Sequence, residues 1–263
     1  MIIDAHTFVH PEADGFGPKY DARLENLLAQ LETSPVDRAI IFPIACDCPY
    51  IKRTTNEYVA QCVKAHPDVL TGFASVHPLA DRDPVGDLER AVVDLGLRGV
   101  KLHPRFQGFV ASDERVAAVV RKAAELDVPV AIDCMLWKPT PLDEQLPFHI
   151  DRLCKKVPEA KVIMCHAGGW KFMDALAVAV ANDNVFVDIS LSLNYFHKTP
   201  FEDQFVFALE QIGAHRVIYG SDHPQESLAA CYGTAREILD GHGFSEEQLA
   251  LVFGETAQRI VPM

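Results

Sequence analysis

The sequence predicts an α/β protein of the (β/α)8 TIM-barrel class, a single domain over residues 1–263. Three observations carry that expectation. Short apolar, β-branched runs alternate eight times with helical stretches, their starts about 23 to 35 residues apart. Eight such units in roughly 250 residues is the size of a parallel barrel. No glycine-rich phosphate turn follows the first strand, as an open doubly wound sheet would usually show.

The elements follow in order. Met1–Ile3 is too short for a helix and reads as a buried strand, with His6 at its exit. Residues 21–33 carry Leu24, Leu27, Leu28 and Leu31 at the spacing of an amphipathic helix. Ala39–Ile44 is a continuous apolar run, suited to a strand covered on both faces, and Asn56–Ala65 reads as a helix. Leu70–Val76 is a strand ending at His77; Pro84 opens a helix with Val85, Leu88, Val92 and Leu95. Gly99–Leu102 is a strand, and Ser112 is the expected N-cap of a helix running to about Leu126. Val128–Ile132, Lys161–Cys165, Val185–Ile189 and Arg216–Gly220 are the remaining strands. The helices between them fall after Pro147, over Phe172–Ala181 and over residues 201–212. Two helices close the chain, the second with a capping-box pattern at Ser245-Glu-Glu-Gln248.

Composition narrows the function classes. Hydrophobic residues make up 49% and charged residues 23%, as in an ordinary globular protein. A net charge of −13 argues against nucleic acid as a partner. Seven scattered cysteines do not form a disulfide framework, and a reducing cytosol is the simplest reading. No basic-then-apolar leader is present and no run approaches ~18 apolar residues, so the expectation is a cytoplasmic protein without a membrane partner.

Chemistry collects at the strand exits, the active face of such a barrel. The exits hold His6, Cys46 with Asp47, His77, Lys101 with His103, Asp133, His166, Asp188 with Ser190, and Asp222 with His223. Strand entrances carry only single charges such as Arg38, Arg98, Lys161 and Arg216. His6, Asp133, His166 and Asp222 form a nitrogen and oxygen donor set for one divalent ion, Zn²⁺ or Mn²⁺. Asp222 is placed to take a proton from an attacking water, with His166 as its catalytic companion. Lys101, His103 and Arg105 share one strand exit and are expected to point into the mouth and bind an anionic group. Trp137, Lys138 and Tyr195 lie in loops over that mouth, with Trp137 a substrate-binding candidate. Cys46-Asp47-Cys48 lacks a second cysteine pair and reads as a reduced loop.

Asp4-Ala5-His6, Gly99-Val100-Lys101-Leu102-His103-Pro104, Val162-Ile163-Met164-Cys165-His166-Ala167-Gly168-Gly169 and Tyr219-Gly220-Ser221-Asp222-His223-Pro224 occur in this order along nearly the whole chain. Together they resemble the amidohydrolase superfamily, most closely its branch of small metal-dependent hydrolases and carboxylate decarboxylases. The resemblance implies a (β/α)8 barrel whose metal ligands are a His-x-His pair after the first strand, histidines after the fifth and sixth, and an aspartate after the eighth. His6, His166 and Asp222 match those positions. Phe8 stands where the second histidine of the pair is expected, and Asp133 where the fifth-strand histidine is. Phe cannot ligate, which leaves His10 as the fallback ligand, whereas Asp133 retains an oxygen donor.

The expected function is hydrolysis of a small carboxylate-bearing ester, lactone or amide, by a water activated by Asp222 and one divalent metal. The alternatives are a metal-dependent, non-oxidative decarboxylase of an aromatic or unsaturated acid, and a metal-free lactonase or non-catalytic binding protein. Barrels of this kind often pair, so a homodimer is part of the expectation.

Overall fold

The computed structural model describes residues 1–45, 51–136 and 140–263; Cys46, Asp47, Cys48, Trp137 and Lys138 lie outside the described residues. Among those described, eight parallel strand positions close into a barrel. They are β1 (Ile3–Phe8), β2 (Arg38–Phe42), β3 in two segments (Leu70–Gly72 and Ala74–Ser75), β4 (Val100–Leu102), β5 (Val130–Ile132), β6 (Val162–Met164), β7 (Val185–Asp188) and β8 (Val217–Ile218). Every paired neighbour runs parallel. β3 changes partner at Phe73, whose N–H bonds to Ile41 O, while the Ala74 N–H bonds to Gly99 O. β8 returns to β1 through Ala5 N–H to Tyr219 O (3.0 Å) and Phe8 N–H to His223 O (2.8 Å). The sequence expectation of a TIM barrel is met.

Among the described residues eight longer helices lie outside it: α1 (Leu24–Thr33), α2 (Asn56–Ala65), α3 (Pro84–Val93), α4 (Glu114–Glu125), α5 (Phe148–Lys156), α6 (Phe172–Ala181), α7 (Glu202–Ile212) and α8 (Leu228–Gly241). Asp83 caps α3 with Pro84 in its first turn, and the Ser245–Gln248 capping box is formed. The cap of α4 is Asp113 and not Ser112: its carboxylate, one residue nearer the helix, accepts the Arg115 N–H. No helix among the described residues is long and apolar enough to cross a membrane.

The strands separate two apolar layers. Val100, Leu102, Val130, Ile132, Val162, Met164 and Val187 face the helices. Ile3, Ile40, Phe42, Phe73, Ala131, Ile163, Cys165 and Ile218 pack in the interior layer. Alternation therefore sends Lys101, His103, Asp133 and Asp188 inward from their strands. β1 departs from the expected Met1–Ile3 in that it runs on to Phe8, so His6 lies within the strand. Its register against β2 shifts between Asp4 and Thr7. This irregularity breaks alternation and turns both His6 and Phe8 toward the barrel axis.

Candidate active site

Lys101 sits deepest. Its side chain is fully buried, with Nζ 3.2 Å from His6 Nε2, 2.9 Å from Cys165 Sγ, and 5.1 Å from the centre of the Phe42 ring. It points inward as alternation requires, but it ends against the histidine beneath the mouth instead of in the open mouth. Burial opposes its charge, yet Cys165 and the carboxylates of Asp133 and Asp188 raise its pKa and keep it an ammonium. Cys165 itself is pushed far up by burial and stays a thiol.

His6 is held from the other side by Asp188. Nδ1 lies 3.0 Å from Asp188 Oδ2 and 3.0 Å from Ser190 Oγ. A carboxylate only accepts, so Nδ1 carries the proton and Nε2 presents a lone pair to the Lys101 ammonium. Burial and then the Lys101 charge lower the His6 pKa, which keeps the ring neutral. Gly220 is required beside it, because a Cβ there would stand 2.6 Å from the Cβ of His6.

His166 is in the opposite state. Nδ1 lies 3.1 Å from the Ser190 carbonyl and Nε2 lies 3.3 Å from Asp133 Oδ2, both acceptors, so both ring nitrogens are protonated. Burial disfavours that charge, but the bond to Asp133 and the charges of Asp222, Asp133 and Asp188 outweigh it and raise the pKa. The backbone at His166 and Ala167 is left-handed (φ 60° and 44°) and continues through Gly168 and Gly169. Such sparsely populated conformations cost of order 1–3 kcal/mol each and cluster at functional sites.

Asp133 is committed to its neighbours. Arg105 Nη2 donates to Oδ2 at 3.0 Å, and Nε stands 2.8 Å from Oδ1 as an ion pair. Burial opposes the charge, but Arg105 and then His166 draw the Asp133 pKa well below the usual range. Arg105 also stacks on Phe106, 4.4 Å from the ring centre. His103 is buried between Phe8 and Phe106 with Nδ1 unpaired, and burial keeps it neutral.

Asp222 closes the site. It also has a left-handed backbone (φ 70°), its N–H bonds to His6 O at 2.9 Å, and Oδ1 stands 3.4 Å from His6 Nε2. Among the described residues no N–H or O–H donates to its carboxylate. The ligand atoms of His6, His166 and Asp222 lie within 4.8 Å of one another. Two imidazoles and a carboxylate in mutual reach fit a three-ligand catalytic metal, which would displace the His166 proton and the Lys101 contact.

Other expectations fall elsewhere. Phe8 packs edge-on against His6 and Phe42 and near Phe16, forming an apolar wall. The His10 ring turns to the Glu12 backbone N–H (2.9 Å) and stands outside the ligand group. His77 accepts the N–H groups of Leu79 and Ala80 and caps its turn. His223 is buried and neutral, its pKa lowered by burial to about 4. Three residues that sequence reasoning left without a role belong to the site: Asp188, Ser190 and Cys165. Asp188 and Ser190 carried a signal, a polar pair at a strand exit, whereas Cys165 looked like any core cysteine.

With that geometry in view, the amidohydrolase family model matches residues 3–263. The chain belongs to the amidohydrolase family. It is thus an enzyme of the amidohydrolase type. A TIM-barrel protein from Bordetella bronchiseptica, described as uncharacterised, superposes with a TM-score of 0.81 at 18% identity, covering 98% of this chain and 97% of that one. A probable 2-pyrone-4,6-dicarboxylic acid hydrolase from Acinetobacter baumannii, with citric acid bound, gives 0.70 at 16%, covering 98% of each chain. The 5-carboxyvanillate decarboxylase of Novosphingobium aromaticivorans, complexed with manganese, gives 0.71 at 16%, covering 98% of this chain and 95% of that one. At these identities the likeness carries the fold. No curated protein matches the chain.

Proposed function

We propose that this amidohydrolase hydrolyses a small carboxylate-bearing ester, lactone or amide, with Asp222 as general base and His166 as general acid. One observation carries the reading: Asp222 is the site carboxylate left unspent. Asp133 is paired with Arg105, and Asp188 with His6. The nearest ring nitrogen to Asp222, His6 Nε2, offers it a lone pair and not a proton. A carboxylate without a donor beside a protonated imidazole is an acid–base pair ready for a water and a leaving group. Asp222 takes the proton of the water, and His166 returns one to the departing oxygen or nitrogen.

With one divalent ion, manganese or zinc, held by His6, His166 and Asp222, the bound group would supply a water of lowered pKa; His166 would then be an unprotonated ligand, and Asp222 would pass the proton it took to the leaving group. The manganese of the decarboxylase supports this part of the proposal. Arg105, at the edge of the buried site, and the unpaired His103 nitrogen meet the substrate carboxylate, with the Lys101 charge beneath them. Trp137 joins them on its sequence position alone.

The decarboxylase likeness favours a second reading, loss of CO₂ from an aromatic acid at the same face. One experiment separates the two. The protein is offered carboxylate-bearing lactones, esters, amides and aromatic acids, with product analysis and CO₂ trapping, beside Asp222→Asn. Hydrolysis that falls about 100-fold or more in the variant is the expected result. CO₂ release without hydrolysis selects the second reading, and undiminished turnover in Asp222→Asn overturns the role of Asp222.

A further inference from the structure

α6 carries apolar side chains on both its faces. Phe172, Ala175, Val178 and Ala179 face the barrel, while Met173, Ala177 and Val180 are exposed at helical spacing on the solvent side. Trp170, 60% exposed, extends that row by one turn and packs at a tilt against the exposed Tyr195 with ring centres 5.3 Å apart. Phe201 and Phe207, also exposed, belong to the adjoining α7 segment, which packs on α6. Of the eleven large apolar side chains exposed among the described residues, these six lie between 170 and 207. They form one side of the barrel, whereas scattered exposed apolar residues would need no explanation.

We propose that this face is the contact between two copies of the chain. Two arguments commit it to a second copy. At about half exposure, six such side chains present on the order of 600 Å² of largely apolar surface. With a rim, that approaches the roughly 800 Å² per partner of a stable interface. The chain also carries a net charge of −13, so two copies repel except where charge is scarce. α6 has one charged residue in ten, Asp174, with Lys171 3.9 Å from it, whereas α7 exposes Asp203 and Glu210 to either side of Phe207, so the scarcity of charge belongs to the α6 row. A straight apolar helix row is self-complementary across a twofold axis, with Met173 of one copy meeting Val180 of the other. The partner would bring Trp170 and Tyr195 of both chains to the interface, beside the loops that follow β6 and β7.

Sedimentation equilibrium and light scattering on the full chain at micromolar concentration test this. The expected mass is twice the 29.1 kDa of one chain. Val180→Glu and Met173→Glu place a charge in the row and are expected to weaken the dimer roughly 100-fold. Their circular dichroism should match the parent, since both side chains already face solvent. Val180→Ala, which trims without charge, should weaken it less. A wild-type monomer would give the face to some other partner and overturn the proposal, as would a Val180→Glu protein that remains as dimeric as the parent.

Discussion

The Asp188 carboxylate fixes the His6 ring: Oδ2 lies 3.0 Å from His6 Nδ1, while Oδ1 accepts the backbone N–H of His166 at 3.1 Å. One carboxylate thereby sets the tautomer of one site histidine and the left-handed turn that presents the other. Ser190 ties the arrangement, its hydroxyl donating to Asp188 Oδ1 and lying 3.0 Å from Nδ1 of both rings. Burial opposes the Asp188 charge, but His6, His166 and Lys101 hold it well below the usual carboxylate range. The buried site thus balances three cations, Lys101, Arg105 and His166, against three carboxylates, Asp133, Asp188 and Asp222.

Replacing Asp188 by Asn should therefore disorder the site chemistry more than the fold. The amide still accepts through one oxygen, but its NH₂ competes with the His6 Nδ1–H and favours the other tautomer, which puts a proton on Nε2. Partners of this kind are typically worth 10–100-fold in activity or metal affinity. We expect kcat to fall by about that factor while the circular dichroism spectrum is kept. Nitrogen NMR of the His6 ring would report the tautomer directly, and an unchanged tautomer with unchanged kcat would remove Asp188 from the machinery.

The legibility of this site in the sequence follows from what each feature depends on. Alternation and strand ends are local, so the barrel and the inward positions of Lys101, His103, Asp133 and Asp188 could be read from spacing alone. The length of β1 could not, because its register shift is a property of the β1–β2 pairing and not of Ile3–Phe8. The depth of Lys101 also escaped: a lysine at a strand exit normally reaches water, and its burial depends on Cys165 and Asp188 from strands 64 and 87 residues away by number (165 − 101 and 188 − 101). For the same reason Asp133 read as a free ligand. Its Arg105 partner is visible in the chain, but the pairing is made only when β4 and β5 lie side by side.

The stability of the folded chain should fall as pH rises from about 4 toward 7, through Asp4. This carboxyl is fully buried; Oδ1 accepts the N–H groups of His6 and Ser221, and Oδ2 has no partner. Burial raises its pKa from 3.8 to about 7, against the lowering effect of its bonds to Ser221 and His6. Between those values the folded state keeps a proton that the unfolded state has lost, so unfolding becomes easier with rising pH, by on the order of a few kcal/mol. Asp4→Asn keeps the oxygen acceptor and removes the titration. Urea unfolding of both proteins at pH 5 and pH 8 should show the parent losing stability across that interval and the variant losing less. Equal pH dependence in the two would refute the assignment.

Phe8→His tests whether the metal chemistry of the family can be strengthened in this chain. Phe8 faces the barrel axis with its ring centre 5.4 Å from that of His6, so a histidine there adds an imidazole beside the His6–His166–Asp222 group. This fourth donor, the third nitrogen of the set, suits Zn²⁺ better than Mn²⁺ and completes the tetrahedral number. The exchange also removes a buried aromatic from contact with Phe16 and Phe42, at a cost of roughly 1–3 kcal/mol. We expect the variant to bind Zn²⁺ at least about 10-fold more tightly by calorimetry and to melt at a lower temperature without the ion. If the Zn²⁺ affinity stays at the parent value while the fold is intact, His6, His166 and Asp222 are not the residues that receive an ion, and the Lys101 ammonium beside His6 Nε2 is the cation on which this site runs.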